Sequence, residues 1–346
     1  MHEVVLEQEE IGIEKIISSI RNNEPDRAEL VKKLRGVNLS GTDLSGLDLS
    51  GADMSMSNLE RADLSGAKLD NANLMKANLR GAILYRASLR NAELTGADLS
   101  GANLEEADAT SAGMGMARLD EAIFFNANLE WASLTKARAF KADFRCTNLK
   151  NARIREADVS ESDFTNADCH SCDLSLTNVE RATFDNASLQ NARLRLVKNF
   201  ESASWIGVDI RNINFAGAYR LRREIADQNY IKEFRESGKI SKVIYFFWWL
   251  TSDCGRSMAR WCFWIVAQAV FFAWLFTMVG VDYGQYKTWL SPLYYSIVTL
   301  TTLGYGDVVP ASLGAQVVAI AEVITGYVML GGLISILSTK MTRRAD

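Results

Sequence analysis

The sequence predicts a multidomain chain in which a solenoid of short repeats precedes an all-α membrane domain of two spans with a re-entrant helix between them. Three observations predict it. An apolar residue recurs every five positions from Leu39 to Leu194 without a break. Two charge-poor runs near the C-terminus are long enough to cross a bilayer, and a shorter apolar run between them leads into Gly304, Tyr305 and Gly306.

At 346 residues the chain has room for two domains of about 150 residues each. Charge is divided unevenly along it. Residues 36–195 carry 17 Lys and Arg against 23 Asp and Glu, whereas residues 196–260 carry 11 against 7. Five cysteines at irregular spacing do not read as a disulfide framework, which favours a reducing compartment. With two histidines, His2 and His170, imidazole catalysis has little to work with; neither enzymatic activity nor an organic cofactor is expected. The acidic start, MHEVVLEQEE, lacks the basic and apolar regions of a secretory signal.

Residues 36–195 divide into 32 units of five, beginning GVNLS, GTDLS, GLDLS and GADMS. The fourth place is apolar in all 32, and the second is Ala in 24. A helix of period 3.6 would scatter residues five apart around its surface, and a strand of period 2 would send them to alternate faces. A solenoid with five-residue sides instead turns every second and fourth place inward, each stacked on its copy one coil away. Alanine at the second place follows from crowding in a narrow coil. The period slips once after Leu194, and the apolar centres resume one residue late at Phe200, Trp205, Ile210 and Phe215, closing a ninth coil.

This pattern resembles the pentapeptide-repeat family. The resemblance implies a right-handed quadrilateral β-helix with four units per coil, here residues 36–218. Residues 1–35, with Ile11, Ile13, Ile16, Ile17 and Ile20, are expected to form a helical cap on the open end. Cys169 and Cys172 look like a metal or redox pair, yet in frame they are fourth- and second-place core residues, with His170 turned to solvent. The acidic runs around Glu105, Glu106 and Asp108, and around Asp158, Glu161 and Asp163, resemble the nucleic-acid mimicry of some family members; solvated faces are the plainer reading.

Residues 219–257 are a linker, with a polar helix followed by Tyr245, Phe246, Phe247, Trp248 and Trp249, an aromatic run suited to the headgroup region. From Trp261 to Val281 the chain has 21 residues without a charge, enough to span about 30 Å of hydrocarbon. A second run, Leu313 to Leu337, is broken only by Glu322, and the segment PLYYSIVTLTTL between them is too short to cross. Arg256, Arg260, Lys340, Arg343 and Arg344 flank the spans on one side, so both termini are expected in the cytoplasm of a cell whose inner membrane the chain crosses twice.

Irregular backbone at membrane depth is tolerated only where protein buries it or water reaches it, so a Gly-Tyr-Gly turn there must line something. TTLGYGD resembles the potassium-channel signature, over residues 258–346 as a pore domain. The resemblance implies that carbonyls of Thr302, Leu303, Gly304 and Tyr305, with Gly306, form a selectivity filter for potassium ions. Asp307 falls at the outer mouth, within reach of Tyr294, with Tyr294 and Tyr295 as filter support; Gly326 falls on an inner-helix hinge, with Gly331 and Gly332 as rival hinge points; Tyr327, Leu330 and Ile334 line the cavity. Ser291 and Pro292 read as N-cap and first residue of the pore helix. Glu322 lies about 140° around the helix from Tyr327 and is expected to turn away from the cavity, toward the pore helix or first span.

The expected function is a homotetrameric potassium channel in the lipid bilayer, whose cytoplasmic repeat domain regulates gating or docks an unknown protein or ligand. Nucleic acid is not an expected partner. The rival reading is a membrane-tethered pentapeptide protein that mimics DNA or binds another partner, with the spans as anchor only.

Overall fold

The computed structural model describes residues 15–22, 27–213, 215, 218–284 and 287–342. Ile11 and Ile13 of the expected cap, and Arg343 and Arg344, lie outside the described residues. The chain divides into two compact units, at Tyr230/Ile231.

In the first unit, third-place residues pair in parallel with the residue twenty positions on, from Asn38 with Asn58 to Asn178 with Lys198, so four units make one coil. Backbone groups are satisfied from coil to coil: Leu39 N–H donates to the Asn58 carbonyl at 2.7 Å, Gly41 to Glu60 at 2.8 Å, and Asn58 to Val37 at 2.9 Å. The fifth-place N–H turns instead to the third-place side chain, as Ser45 N–H to Asp43 Oδ1 at 3.0 Å and Arg145 N–H to Asp143 Oδ1 at 3.0 Å. That turn explains the Asp and Asn at third places. Asparagines also link coils directly, with Asn58 Nδ2 donating to Asn38 Oδ1 and Asn78 Nδ2 to Asn58 Oδ1.

A further constraint sits at the first place. Every first-place residue from Gly36 to Leu196 has φ between +55° and +70°. Left-handed backbone costs a non-glycine residue about 1–2 kcal/mol and a β-branched one more. None of these positions holds Val, Ile or Thr.

Inside, the fourth-place side chains are buried, and Phe124, Phe144, Phe164, Phe184 and Trp205 form one stacked column with successive centroids 4.9, 4.7, 4.7 and 4.5 Å apart. The slip is visible in the pairing, which lengthens to 21 residues at Thr183 with Ser204. Left-handed Asn199 and a 3-10 turn at Phe200–Ser202 absorb the extra residue. Phe200 is therefore only half-buried, outside the aromatic column and beneath the Arg220 guanidinium; Trp205 Nε1–H donates to its carbonyl at 3.0 Å.

Both ends of the core are covered. Helix α1 (15–21) buries Ile20 against it, with Ile16 and Ile17 partly buried, and the short α2 (Arg27–Leu30) leads on to buried Val31. Helix α3 (Tyr219–Glu236) buries Leu221 and Ile225 at the far end. Its Gln228 accepts from Trp205 N–H at 2.8 Å and donates to the Ala203 carbonyl at 2.8 Å, while Asn229 accepts from Gly207 N–H at 2.6 Å and donates to the Trp205 carbonyl at 2.9 Å. These amides occupy the backbone edge that would otherwise template another chain. The first part of α3 thus belongs with the solenoid and not, as the sequence suggested, with the linker.

The second unit holds α4 (Lys239–Ser252), α5 (Met258–Met278), α6 (Ser291–Leu300) and α7 (Leu313–Thr342), with the two-residue strands β1 (Val281–Asp282) and β2 (Val309–Pro310) paired antiparallel. α5 and α7 are long and apolar enough to cross a membrane. α5 starts at Met258, capped by Ser257 Oγ, which accepts from Arg260 N–H; it stops at Met278, because Val281 is drawn into β1. α4 carries the aromatic run, with Phe246, Phe247 and Trp249 exposed, and Trp264 of α5 donates through Nε1–H to its Leu250 carbonyl at 3.2 Å.

Candidate functional site

α6 begins one residue earlier than the sequence suggested. Ser291 is its first residue and Leu290 its N-cap, which makes no side-chain bond. Ser291 Oγ accepts instead from Thr288 N–H at 2.8 Å, fixing the loop before the helix, while Pro292 sits in the first turn, where a missing N–H does no harm.

The helix ends in a Schellman turn: Thr302 N–H donates to the Thr299 carbonyl at 3.0 Å and Leu303 N–H to the Val298 carbonyl at 3.0 Å. The left-handed residue such a turn needs is Thr302, at φ +58°. A β-branched side chain there is a backbone outlier of the kind concentrated at functional sites. Positive φ recurs at Gly304 (+49°) and Gly306 (+78°), so the handedness inverts at every second residue. A Cβ at either glycine would meet nothing within 4 Å, and the requirement for glycine is conformational. Leu303 and Tyr305 are 57% and 67% exposed, left open by the other described residues.

Tyr294 and Asp307 come together: the phenol donates to Asp307 Oδ2 at 2.7 Å, tying α6 to the segment after Gly306. Tyr295 turns the opposite way. It is buried, with its ring 4.7 Å from that of Phe276, and holds α6 against α5. Tyr327 and Ile334 are exposed, on a side of α7 that also exposes Leu313, Val317, Ile320 and Ile324, and Leu330 is half-buried beside them.

Gly326 is on the other side, buried where α7 crosses α6; a Cβ there would lie 2.8 Å from the Leu300 carbonyl oxygen. The structure gives this glycine a packing reason. α7 runs unbroken through it. Gly332, which sequence reasoning named only as a rival hinge, is the seat of Trp261: an added Cβ would meet indole Cζ2 at 2.1 Å. Glu322 is fully buried on this side, bonded to Ser296 of α6. Gln268 Nε2 donates to Thr325 Oγ1 at 2.6 Å, again joining α5 to α7.

Cys169 and Cys172 are both buried in the solenoid core, and His170 Nε2 lies 3.3 Å from Asn191 Nδ2. Four of the six acids named in the acidic runs pair with bases from neighbouring coils: Arg86 with Glu106 at 2.6 Å, Arg90 with Asp108 at 2.6 Å, Arg181 and Lys141 with Glu161, and Arg145 with Asp163 at 3.9 Å.

Comparison with known proteins falls along the same division. Residues within 33–198 match the family described as pentapeptide repeats, and residues 261–343 match the family described as ion channel. The calcium-gated potassium channel TvoK of Thermoplasma volcanium is 37% identical over 62 residues, 18% of each chain. Two-pore potassium channel 1 of Arabidopsis thaliana is 51% identical over 43 residues, 12% of each. The chain thus spans less than a fifth of the length of these relatives. Among solved structures, the pentapeptide repeat protein HetL of Nostoc is 27% identical, with 53% of this chain and 84% of that one covered and a TM-score of 0.30. This chain joins pentapeptide repeats to an ion-channel segment with potassium channels among its relatives, and neither part belongs to an enzyme family.

Proposed function

We propose that the chain is a potassium-selective channel, assembled as a homotetramer around the Thr302-to-Gly306 segment. The observation that carries this reading is the alternation of positive φ at Thr302, Gly304 and Gly306, at the end of a ten-residue helix between two span-length helices. Inverting the handedness of alternate residues brings successive carbonyls to one side of an extended segment, as an ion stripped of its water requires. Thr302, Leu303, Gly304 and Tyr305 are the ligands of potassium, the permeant ion. One chain supplies one quarter of each carbonyl ring, and a fourfold axis completes it.

On this reading α6 is a re-entrant pore helix whose C-terminal carbonyl end faces the cavity, and Asp307 stands at the outer mouth with Tyr294 behind it. Tyr327, Leu330 and Ile334 line the cavity. The repeat domain is a right-handed, four-sided β-helix in the cytoplasm that regulates the pore or docks a partner, and the pore lies in the inner membrane. The pairing of the acidic runs with Arg and Lys disfavours mimicry of nucleic acid.

Replacement of Gly304 by Ala tests the filter. A Cβ meets no atom there, so the change acts only through the backbone. Selective potassium flux into vesicles should be lost; retained selectivity contradicts the assignment.

A further inference from the structure

Behind the Gly-Tyr-Gly turn, three helices meet through three oxygens. Ser296 Oγ on α6 lies 2.8 Å from the Ala269 carbonyl of α5 and within hydrogen-bond reach of Glu322 Oε1 on α7. Ser296 and Glu322 are both 0% exposed, and Glu322 Oε2 has no hydrogen-bond partner. Among the described residues no neighbouring cation compensates a charge here. α6 presents the phenol of Tyr295 and no ionic group; α7 has no other charged residue before Lys340; α5 carries only Arg260, which pairs with Asp253 at 3.8 Å near the start of that helix.

Hydrogen counting decides the protonation state. A serine hydroxyl has one hydrogen, and a carbonyl oxygen has none to give. With Glu322 ionised, two close oxygen contacts of Ser296, to Ala269 and to the carboxylate, would have one hydrogen between them, and a buried charge would keep at most one donor. With Glu322 protonated, two hydrogens serve two bonds: the carboxyl donates to Ser296 Oγ, and Ser296 donates to the Ala269 carbonyl. We propose that Glu322 is a neutral carboxylic acid that positions the α6 helix by donating to Ser296, which relays the bond to Ala269. The relay holds α6 between α5 and α7 from within one chain, so it is complete before any assembly. Only its consequence for conduction rests on the function proposed above.

The test is infrared difference spectroscopy of the full chain in vesicles, wild type against Glu322→Gln, at about pH 8, where exposed carboxyls are ionised. A protonated-carboxyl C=O stretch present in the wild type and lost in the variant is expected. Absence of such a band overturns the proposal. In Ser296→Ala the acid loses its acceptor, and the band should move to higher frequency; a band that does not move overturns the relay. Glutamine is neutral and can donate to Ser296, so Glu322→Gln should retain the ion flux of the wild type. Loss of that flux, with the protein folded, would mean the charge is needed and would overturn a neutral role. Because the band is read whether or not the chain conducts, failure here and failure of the channel reading are told apart.

Discussion

The indole Nε1–H of Trp261 donates to the Met329 carbonyl at 2.7 Å, across 68 residues of sequence, while the ring rests on Gly332. This contact locks the start of α5 to the middle of α7. Trp264, one turn along α5, holds the end of α4 through the Leu250 carbonyl, so α4 and α7 are joined to the same short stretch of α5. A displacement of α4 therefore has a physical route to α7.

Gly332→Ala should expel the indole and destabilise the fold by about 1–3 kcal/mol, the usual range for overpacking. Gly331→Ala is the control, because nothing lies within 4 Å of its added Cβ. Thermal unfolding of the two variants in detergent should show a loss only for the first.

Gly326→Ala separates a hinge from a packing role. The new methyl would press on the Leu300 backbone, directly before the Thr302 turn, so thermal stability should fall and, on the proposed function, ion selectivity with it. Open probability changed alone, with stability and selectivity intact, would restore the hinge.

Tyr294→Phe removes the one side-chain bond that the structure gives Asp307 from α6. The phenol is solvent-facing, so the bond acts on the position of Asp307 more than on global stability. Recordings should show currents that decay faster during sustained opening, with unchanged potassium selectivity; unchanged decay would leave the bond without a role.

The solenoid should be insensitive to pH until its third-place aspartates protonate. The Ser45 hydroxyl and N–H hold Asp43 below the usual carboxylate range, and Arg211, followed by its own N–H, does the same for Asp209. A depressed carboxylate contributes stability that is present above its unfolded value and lost as pH falls through the folded one. Circular dichroism should therefore find constant stability from neutral pH to about 4 and a decline below it. A decline that begins near pH 6 would contradict this.

Much of the first unit was legible because one residue type repeats at one spacing: apolar fourth places name the core, and 32 repetitions leave no other period. The left-handed first place was less visible, since Gly, Asn, Lys, Glu and even Trp131 all occupy it. Its signal is an absence, of Val, Ile and Thr, which only alignment of the units exposes. The role of α3 was hidden for another reason. Leu221 and Ile225 are two apolar residues in a highly charged helix, and Gln228 and Asn229 read as surface amides until the edge they cover is known.

In the second unit, span lengths and the Gly-Tyr-Gly turn were plain from composition and order. The reach of Tyr294 to Asp307 was legible by resemblance; the burial of Tyr295 against Phe276 was not, because the sequence does not say which side chains of α5 face α6. Likewise, a glycine that bends and a glycine that admits a neighbour look alike in sequence. Leu300 against Gly326 and Trp261 against Gly332 are tertiary facts.

The most direct measurement is ion flux through the full chain in sealed vesicles, with opposed potassium and sodium gradients and a voltage-sensitive dye. The expected result is a membrane potential that follows the potassium gradient. No flux, or a potential that ignores which cation is outside, would contradict the central claim.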